Sequence, residues 1–157
     1  MMITRRTHIL ASPEATCAFA RALGARLGPG DVIALEGDIG AGKTHFSRCL
    51  IQSLLAAPED VPSPTYTLVQ TYPGTGFEIW HADLYRLTGP SEVFELGLID
   101  AFETEVCLVE WPDRLGDLAP ETALWMRLTQ GRDENTREAS LHWSDPKWDT
   151  ALKGLLT

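Results

Sequence analysis

The chain contains few cysteines, and they are arranged without a recognisable pattern. Among its 157 residues there are three, Cys17, Cys49 and Cys107, which lie far apart and include no C-x-x-C pair. This number and spacing are typical of reduced, buried thiols in a cytosolic protein, and they argue against a disulfide-stapled scaffold or a zinc site. The four histidines also lack the spacing of metal ligands. We therefore expect neither a redox role nor a transition-metal site.

Positive charge is also scarce. The chain has 13 lysines and arginines against 22 aspartates and glutamates, which gives a net charge of −9. Affinity for nucleic acids comes largely from basic side chains that neutralise phosphates, so this balance disfavours direct binding of tRNA or DNA. Any role on a nucleic acid is therefore expected to run through a protein partner.

The sequence has no long apolar segment either. No run approaches the length of a membrane span, and Ser12, Pro13 and Glu14 interrupt the N-terminal stretch before the apolar core of a signal peptide could form. We expect a soluble, cytoplasmic protein without membrane contact. With 44% hydrophobic residues and five tryptophans, the chain has enough apolar surface for the core of one domain, spanning residues 1–157.

A glycine-rich motif is the most informative feature that is present. Residues 37–44 read Gly-Asp-Ile-Gly-Ala-Gly-Lys-Thr and follow an apolar stretch at 32–35. This is the pattern of a phosphate-binding loop, in which Lys43 reaches the β and γ phosphates of a nucleotide and Thr44 offers its hydroxyl to Mg²⁺. Glycines let backbone N–H groups approach phosphate, and the following helix presents a positive N-terminus. The residues expected to bind the nucleotide are Asp38, Ile39, Gly40, Ala41, Gly42, Lys43, Thr44 and His45.

Hydrophobic periodicity predicts alternating strands and helices. Strands are expected at 3–10, 31–36, 65–72, 77–83, 106–110, 122–128 and 138–143, and helices at 13–27, 43–56, 90–102 and 146–156. The strands at 65–72 and 77–83 should form a hairpin, because a Pro-Gly-Thr-Gly turn lies between them. This order around a nucleotide loop indicates an α/β fold of the P-loop NTPase type. It would have a mixed, mostly parallel sheet, helices on both faces, and the ligand at the carboxyl ends of the strands.

Two carboxylates end predicted strands, Asp83 at the end of 77–83 and Glu110 at the end of 106–110. Acidic residues in such places are often only helix caps or turn formers. A triphosphate site, however, needs a carboxylate near Mg²⁺ and a group that orients or deprotonates the attacking water. One of the two would hold Mg²⁺ and the other would act on the water. The spacing does not assign the two roles.

Three further residues have both a functional and an ordinary interpretation. Thr65, in Ser-Pro-Thr, would sense the γ-phosphate as a switch-loop threonine, although this tripeptide is also a common turn. Arg86 would stabilise phosphate charge or dock a partner, or else be a solvated surface residue. Trp111 would be a core residue or an interface anchor.

Four sequence blocks together resemble a known family. They are residues 37–44, Ser-Pro-Thr-Tyr at 63–66, His-Ala-Asp-Leu-Tyr-Arg-Leu at 81–87 and Val-Glu-Trp-Pro at 109–112. In order and spacing they resemble the small TsaE-type ATPases of bacteria, over nearly the whole chain. The resemblance implies a role in making threonylcarbamoyladenosine, a modified base beside the anticodon of certain tRNAs. A larger pair of proteins, TsaB and TsaD, would carry the transferase site, and the ATPase would dock on them and permit repeated turnover.

The resemblance also implies roles for individual residues. Lys43 and Thr44 would be phosphate and Mg²⁺ ligands, and Thr65 would be a catalytic residue of the switch region. Asp83 would be a carboxylate of the Mg²⁺ site, and Glu110 would be needed for hydrolysis beside the same metal.

The leading hypothesis is therefore a Mg-ATP-binding, partner-stimulated ATPase that acts on tRNA only indirectly, through its complex. The residues alone leave two alternatives open. One is a small-molecule kinase, and the other is a nucleotide-gated assembly module in which binding, without hydrolysis, orders residues 63–67. ATP is favoured over GTP because the sequence has no guanine-reading Asn-Lys-x-Asp block. Trp111 resembles a family tryptophan near the nucleotide and the partner surface.

Overall fold

The computed structural model describes residues 2–64 and 67–156, which form a seven-stranded sheet and its surrounding helices. The strands are β1 (Thr4–Leu10), β2 (Val32–Glu36), β3 (Val69–Pro73), β4 (Glu78–Asp83), β5 (Val106–Glu110), β6 (Leu124–Gln130) and β7 (Arg137–Trp143). The helices are α1 (Pro13–Gly24), α2 (Lys43–Leu54), α3 (Ser91–Glu95), α4 (Leu98–Thr104) and α5 (Lys147–Ala151), with a 3-10 helix at Pro112–Leu118.

The sheet has the strand order β1-β7-β6-β2-β5-β4-β3. Parallel pairs join β6 to β2, β2 to β5 and β5 to β4. Antiparallel pairs add β3 at one edge and β7 and then β1 at the other. Because β1 is antiparallel to β7, it points the same way as the four central strands, so five of the seven strands share one direction. This confirms the predicted mixed, mostly parallel α/β sheet.

Helices cover both faces of the sheet, as predicted. α1, α2 and α5 pack on one face, where Phe19, Phe46 and Trp148 belong to one buried cluster. α3 and α4 lie against the other face, where Val93 and Leu98 belong to a second cluster. All five residues of β5 are buried. A central parallel strand is buried on both faces, which explains why its sequence is a continuous apolar run until the final glutamate.

The two helices closest to the glycine-rich loop begin where the sequence predicts. Ser12 caps α1, because its hydroxyl oxygen accepts a hydrogen bond from the N–H of Ala15 at 3.0 Å, and Pro13 occupies the first helical position. α1 ends at Gly24, three residues earlier than expected. α2 begins at Lys43, as expected. The predicted hairpin is confirmed by the antiparallel β3–β4 pair, although β3 begins only at Val69.

Two predicted helices are shorter than expected. The helix expected at 90–102 is two short helices, because Gly97 between them has a left-handed backbone with φ of 78°. The helix expected at 146–156 is regular only over Lys147–Ala151. The 3-10 helix after β5 was not predicted. The break at Gly97 and the 3-10 helix that begins at Pro112 occur where glycine or proline permits a local turn that hydrophobic spacing does not encode.

The expectation of three reduced thiols is wrong for two of them. Cys17 of α1 and Cys49 of α2 form a disulfide, with their Cα atoms 5.2 Å apart. The pair is separated by 32 residues and comes together because α1 and α2 pack side by side. Cys107 is a buried free thiol. Spacing along the chain could not reveal this pairing, since it depends on how the two helices pack.

Candidate functional site

A cavity of about 610 Å³ opens at the carboxyl ends of the central strands. Its floor is the glycine-rich loop, residues 37–44, which joins β2 to α2. Ends of parallel strands meet at one edge of a sheet, so this is where an open α/β fold places ligands. The lining includes Pro13, Thr16, Ile39, Gly40, Ala41, Gly42, Lys43, Thr44, His45, Asp83, Tyr85, Arg86, Glu110, Trp111, Leu128, Glu134, Asn135 and Arg137.

Two glycines shape the loop for reasons of space and backbone conformation. Gly37 has φ of 142°, and a Cβ atom there would lie 2.6 Å from the carbonyl oxygen of Leu128. Gly42 has φ of 103° and is the residue that precedes α2. Side-chain-bearing residues rarely adopt such φ values. The glycines at these positions are therefore required by the loop itself.

The N-terminus of α2 faces the cavity with unused donors. Within the described part of the chain no side chain caps this end of the helix. Its first intrahelical hydrogen bond runs from the N–H of Phe46 to the carbonyl of Gly42 at 2.9 Å. The N–H groups of Lys43, Thr44 and His45 precede that bond and have no helical acceptor. Together with the positive end of a twelve-residue helix, they make this a favourable position for an anion.

Thr44 and the two strand-end carboxylates meet at the same wall of the cavity. The hydroxyl of Thr44 donates to Oε1 of Glu110 at 3.1 Å. Asp83 is the register partner of Glu110 across the parallel β4–β5 pair, and both line the cavity although they are only 6% and 2% exposed. The sequence interpretation that placed Asp83 and Glu110 beside the loop is thus consistent with their positions at adjacent strand ends. A hydroxyl and two carboxylates are the oxygen donors that Mg²⁺ prefers.

Lys43 is a buried cation in contact with Trp111, the residue that follows the strand-end Glu110. It is 5% exposed, its ammonium lies 3.7 Å from the centroid of the Trp111 ring, and it donates to the carbonyl of Gly37. Burial lowers the pKa of Lys43, and the nearby charges of Glu110 and Asp83 oppose that shift. The lysine therefore supplies positive charge in a partly desolvated place, where it acts more strongly on an anion than it would in water.

The segments after Asp83 and Glu110 form the rim of the cavity. Trp111 leaves β5 with a left-handed backbone, φ of 59°, and its ring packs against Tyr85 with centroids 4.8 Å apart. Asp83 also accepts a hydrogen bond from the N–H of Tyr85 at 3.0 Å, which fixes the turn that leaves β4. Arg86 lines the cavity as well. Trp111 is thus half-buried beside the loop lysine and in aromatic contact with the rim.

The remaining predicted residues also fall around the loop. Asp38 closes a turn, since its carbonyl accepts from the N–H of Ala41 at 3.0 Å. Ile39 is 75% exposed at the rim. His45 contacts the carbonyl of Pro13 through Nε2 at 3.1 Å. Thr65, the expected switch-region residue, lies outside the described residues.

Sequence reasoning missed two residues of the site. His81 is fully buried, with Nε2 2.6 Å from Oε2 of Glu110. It is two residues before Asp83 on the same strand, so strand alternation would have placed it on the same face. Arg137 of β7, which lies two strands from β2 in the sheet, reaches the loop and donates to the carbonyl of Ala41. No local signal in the sequence could have shown that β7 contacts the glycine-rich loop.

Comparisons with known proteins point to one family. A family model described as Threonylcarbamoyl adenosine biosynthesis protein TsaE matches residues 10–139. The tRNA threonylcarbamoyladenosine biosynthesis protein TsaE of Rickettsia bellii is 39% identical over 128 residues, 82% of this chain and 89% of that protein. The protein of the same name from Bacillus subtilis is 37% identical over 124 residues, 78% of this chain and 77% of its own length. The Nostoc protein of that name is 39% identical over 147 residues, 90% and 88% of the two chains.

A solved structure shares the fold. The crystal structure of Bacillus subtilis YdiB superposes with a TM-score of 0.77 at 28% identity, covering 99% of this chain and 96% of YdiB. In the described residues no helix is both long and apolar enough to cross a bilayer. The match to the family model and the shared identity over most of the chain show that this protein belongs to the TsaE family, which takes part in tRNA threonylcarbamoyladenosine biosynthesis.

Proposed function

We propose that this TsaE-family chain binds Mg-ATP at the glycine-rich loop, hydrolyses it slowly alone, and does so faster on a partner complex that modifies tRNA. The observation that carries the proposal is the contact of Thr44 Oγ1 with Glu110 Oε1 at 3.1 Å. It brings the last residue of the loop to the end of β5, next to Asp83 and within the cavity that Lys43 also lines. Hydrolysis of a triphosphate needs these groups together.

The residues present fit both a nucleotide and Mg²⁺. The cavity of about 610 Å³ is within the range of small-molecule sites. The uncapped N-terminus of α2 and the ammonium of Lys43 suit phosphate groups, and the oxygens of Thr44 and Asp83 suit Mg²⁺. Beyond the loop, Pro13 and Asn135 line the same cavity and offer apolar and amide surface for a nucleoside.

Each side chain has a separate part in the proposed reaction. Lys43 binds the β and γ phosphates and offsets their charge as the terminal bond breaks. Thr44 and Asp83 hold Mg²⁺, which when bound would neutralise charge on the phosphate oxygens. Glu110, beside the same metal position, orients the attacking water and accepts its proton. This division follows the resemblance to the family and goes beyond what spacing along the chain assigned.

The partner in this proposal is a protein complex resembling the TsaB–TsaD pair, and tRNA is served only through it. Two exposed apolar side chains at the rim support docking over the cavity, Ile39 at 75% and Tyr85 at 44% exposure. The net charge of −9 supports contact with protein rather than with a phosphate backbone. We place this activity in the cytoplasm, where a tRNA-modifying complex would operate.

The test is ATP hydrolysis by the purified protein, first alone and then with the TsaB–TsaD pair of the same organism. We expect a large partner-dependent rise that is lost in Lys43→Ala and Glu110→Ala. Lys153→Ala, an exposed lysine far from the loop, is the matched control and should behave as the wild type. Repeated cycles of tRNA modification by the reconstituted complex should require the same two side chains.

Other outcomes would replace the proposal. Transfer of labelled γ-phosphate to a metabolite instead of water would establish a small-molecule kinase. If Glu110→Ala binds ATP and still supports full multi-cycle modification, hydrolysis is dispensable and the chain is a nucleotide-gated assembly module. An unchanged rate with and without partners, and equal modification by Lys43→Ala, would end the ATPase hypothesis.

A further inference from the structure

His81 is a buried polar side chain on the face of the sheet that carries the site. It is 0% exposed, in the middle of β4, opposite Leu108 in the β4–β5 register. Side chains alternate along a strand, so His81 and Asp83 point to the same face, and Asp83 is the register partner of Glu110. The histidine therefore lies directly behind the two carboxylates, on the side away from the cavity mouth.

The imidazole makes a direct hydrogen bond to Glu110. Nε2 of His81 lies 2.6 Å from Oε2 of Glu110. A carboxylate offers only acceptors, so the histidine tautomer in this contact carries its hydrogen on Nε2 and donates it. The other ring nitrogen, Nδ1, is buried and has no hydrogen-bond partner in the described part of the chain. Within that part, Glu110 is thus the polar group that determines how the ring is held.

The carboxylate of Glu110 is held from two sides. Oε2 accepts from His81 of the neighbouring strand, and Oε1 accepts from the hydroxyl of Thr44 of α2 at 3.1 Å. A glutamate side chain with two such contacts loses most of its rotamer freedom. The hydroxyl of Thr44 also lies 3.5 Å from Oε2, so Oε1, at 3.1 Å, is the carboxylate oxygen nearer to the loop. The sheet and the loop helix are coupled through this one carboxylate.

A role in packing alone does not account for this histidine. Its strand neighbour on the same face is Ile79, which is fully buried among apolar residues. An aliphatic residue at position 81 would extend the buried apolar surface around Ile79, and no imidazole would then have to be buried. A buried polar ring is costly unless it is hydrogen-bonded, so its retention needs the partner that Glu110 supplies. Groups that orient a functional carboxylate in this way commonly have large effects on activity while touching no substrate.

We infer that His81 is a positioning residue, which holds Glu110 by the Nε2–H···Oε2 bond so that Oε1 is directed at the loop. The inference rests on the proposed function for the role given to Glu110. His81 itself contacts no nucleotide and transfers no proton in this scheme. Its contribution is to keep one oxygen of Glu110 in a single orientation through each cycle of hydrolysis.

The experiment compares His81→Leu with His81→Gln, in the presence of the partner complex. Leucine removes the donor, whereas the amide of glutamine can donate from a position near that of Nε2. We expect kcat for ATP hydrolysis to fall about 10- to 100-fold in His81→Leu and to recover at least in part in His81→Gln. The dissociation constant for a non-hydrolysable ATP analogue should change by less than about threefold, because the loop is intact. His142→Leu, a half-buried histidine of β7 outside the cavity lining, is the matched control.

A crystal structure of His81→Leu gives a readout that does not depend on activity. We expect the Glu110 carboxylate to leave the position it holds in the wild type, and to return to it in His81→Gln. The inference is overturned if Glu110 stays in place in His81→Leu, if that variant keeps the wild-type kcat, or if both variants lose activity together with thermal stability. A wild-type protein that hydrolyses no ATP with or without partners would instead defeat the proposed function, and the two crystal structures would still decide the role of His81.

Discussion

Nε of Arg137 donates to the carbonyl oxygen of Ala41 at 3.0 Å, and this bond ties β7 to the glycine-rich loop. The same guanidinium also donates to the carbonyls of Glu134 and Thr136, which anchor it to the turn before β7. The Ala41 carbonyl shares its peptide unit with the N–H of Gly42, and in a planar trans peptide that N–H points away from the arginine. The arginine thus stabilises the conformation in which the loop can present donors to an anion.

Arg137→Ala should weaken ATP binding by about tenfold. A hydrogen bond to a charged group contributes about 1.5–3 kcal/mol, and part of this free energy offsets the cost of ordering the loop. A tenfold change in the dissociation constant corresponds to about 1.4 kcal/mol. Arg127→Ala is the control, because its exposed pair with Glu36 at 3.1 Å resembles surface ion pairs worth about 0–1 kcal/mol. Titration calorimetry measures both affinities. Equal affinities for the two variants would contradict a role of Arg137 in the loop.

Gly37→Ala should destabilise the protein and abolish nucleotide binding. The added Cβ would lie 2.6 Å from the carbonyl oxygen of Leu128, a backbone atom that cannot move without disturbing β6. The φ of 142° adds backbone strain, and such strained positions cost about 1–3 kcal/mol. Gly28→Ala is the control, since a Cβ there meets nothing within 4 Å and φ is not positive. Urea unfolding should show a lower midpoint for the first variant only, and matching midpoints would refute the steric argument.

The Cys17–Cys49 disulfide should stabilise the protein under oxidising conditions. Closing a loop of this length, with a sequence separation of 32, lowers the entropy of the unfolded chain by an amount worth about 3–4 kcal/mol. Dithiothreitol should lower the unfolding midpoint of the wild type and leave that of Cys17→Ser unchanged. A wild type that is insensitive to dithiothreitol would show that the bond does not form in solution.

Cys107 should be unreactive toward thiol reagents while the protein is folded. Burial raises the pKa of its thiol to about 12, and the charge of Glu105 adds to the shift. The thiolate is the reactive form, so alkylation should be slow at neutral pH. Unfolding without reduction should expose one thiol, and unfolding with reduction should expose three, as counted by mass spectrometry. Rapid labelling of the native protein would mean that Cys107 is accessible.

Glu105 should contribute to stability at neutral pH but not in acid. The N–H of Glu78, which donates at 2.7 Å, lowers the pKa of Glu105, and the hydroxyl of Thr104 adds to the effect. A carboxylate whose pKa is depressed in the folded state contributes its full stabilisation at pH values above its unfolded pKa of 4.5. That stabilisation is lost as the pH falls through the lower pKa of the folded state. The unfolding midpoint of Glu105→Gln should therefore fall less between pH 7 and acid than that of the wild type. Parallel pH profiles would contradict this.

Much of the fold follows from features that are local in the sequence. The Ser12-Pro13 cap, the start of α2 at Lys43 and the extent of β5 were predicted correctly, because capping chemistry, glycine conformation and apolar runs act over a few residues. The broken helix at Gly97 was missed, since hydrophobic spacing continues across it while the backbone does not. For the helices, local patterns therefore predicted the first residue more closely than the last, whereas β3 begins four residues later than expected.

The candidate site also combines features that local sequence motifs predict with contacts that they do not. The sequence alone determined the glycine-rich loop, its lysine and threonine, and the two acidic strand ends, since each is a residue type with a fixed place in a local motif. Only the tertiary structure decided that His81 holds Glu110, that Arg137 reaches Ala41, and that Cys17 meets Cys49. These contacts join segments 29, 96 and 32 residues apart. They depend on strand order and helix packing, which are set by burial of the whole chain and not by any short pattern within it.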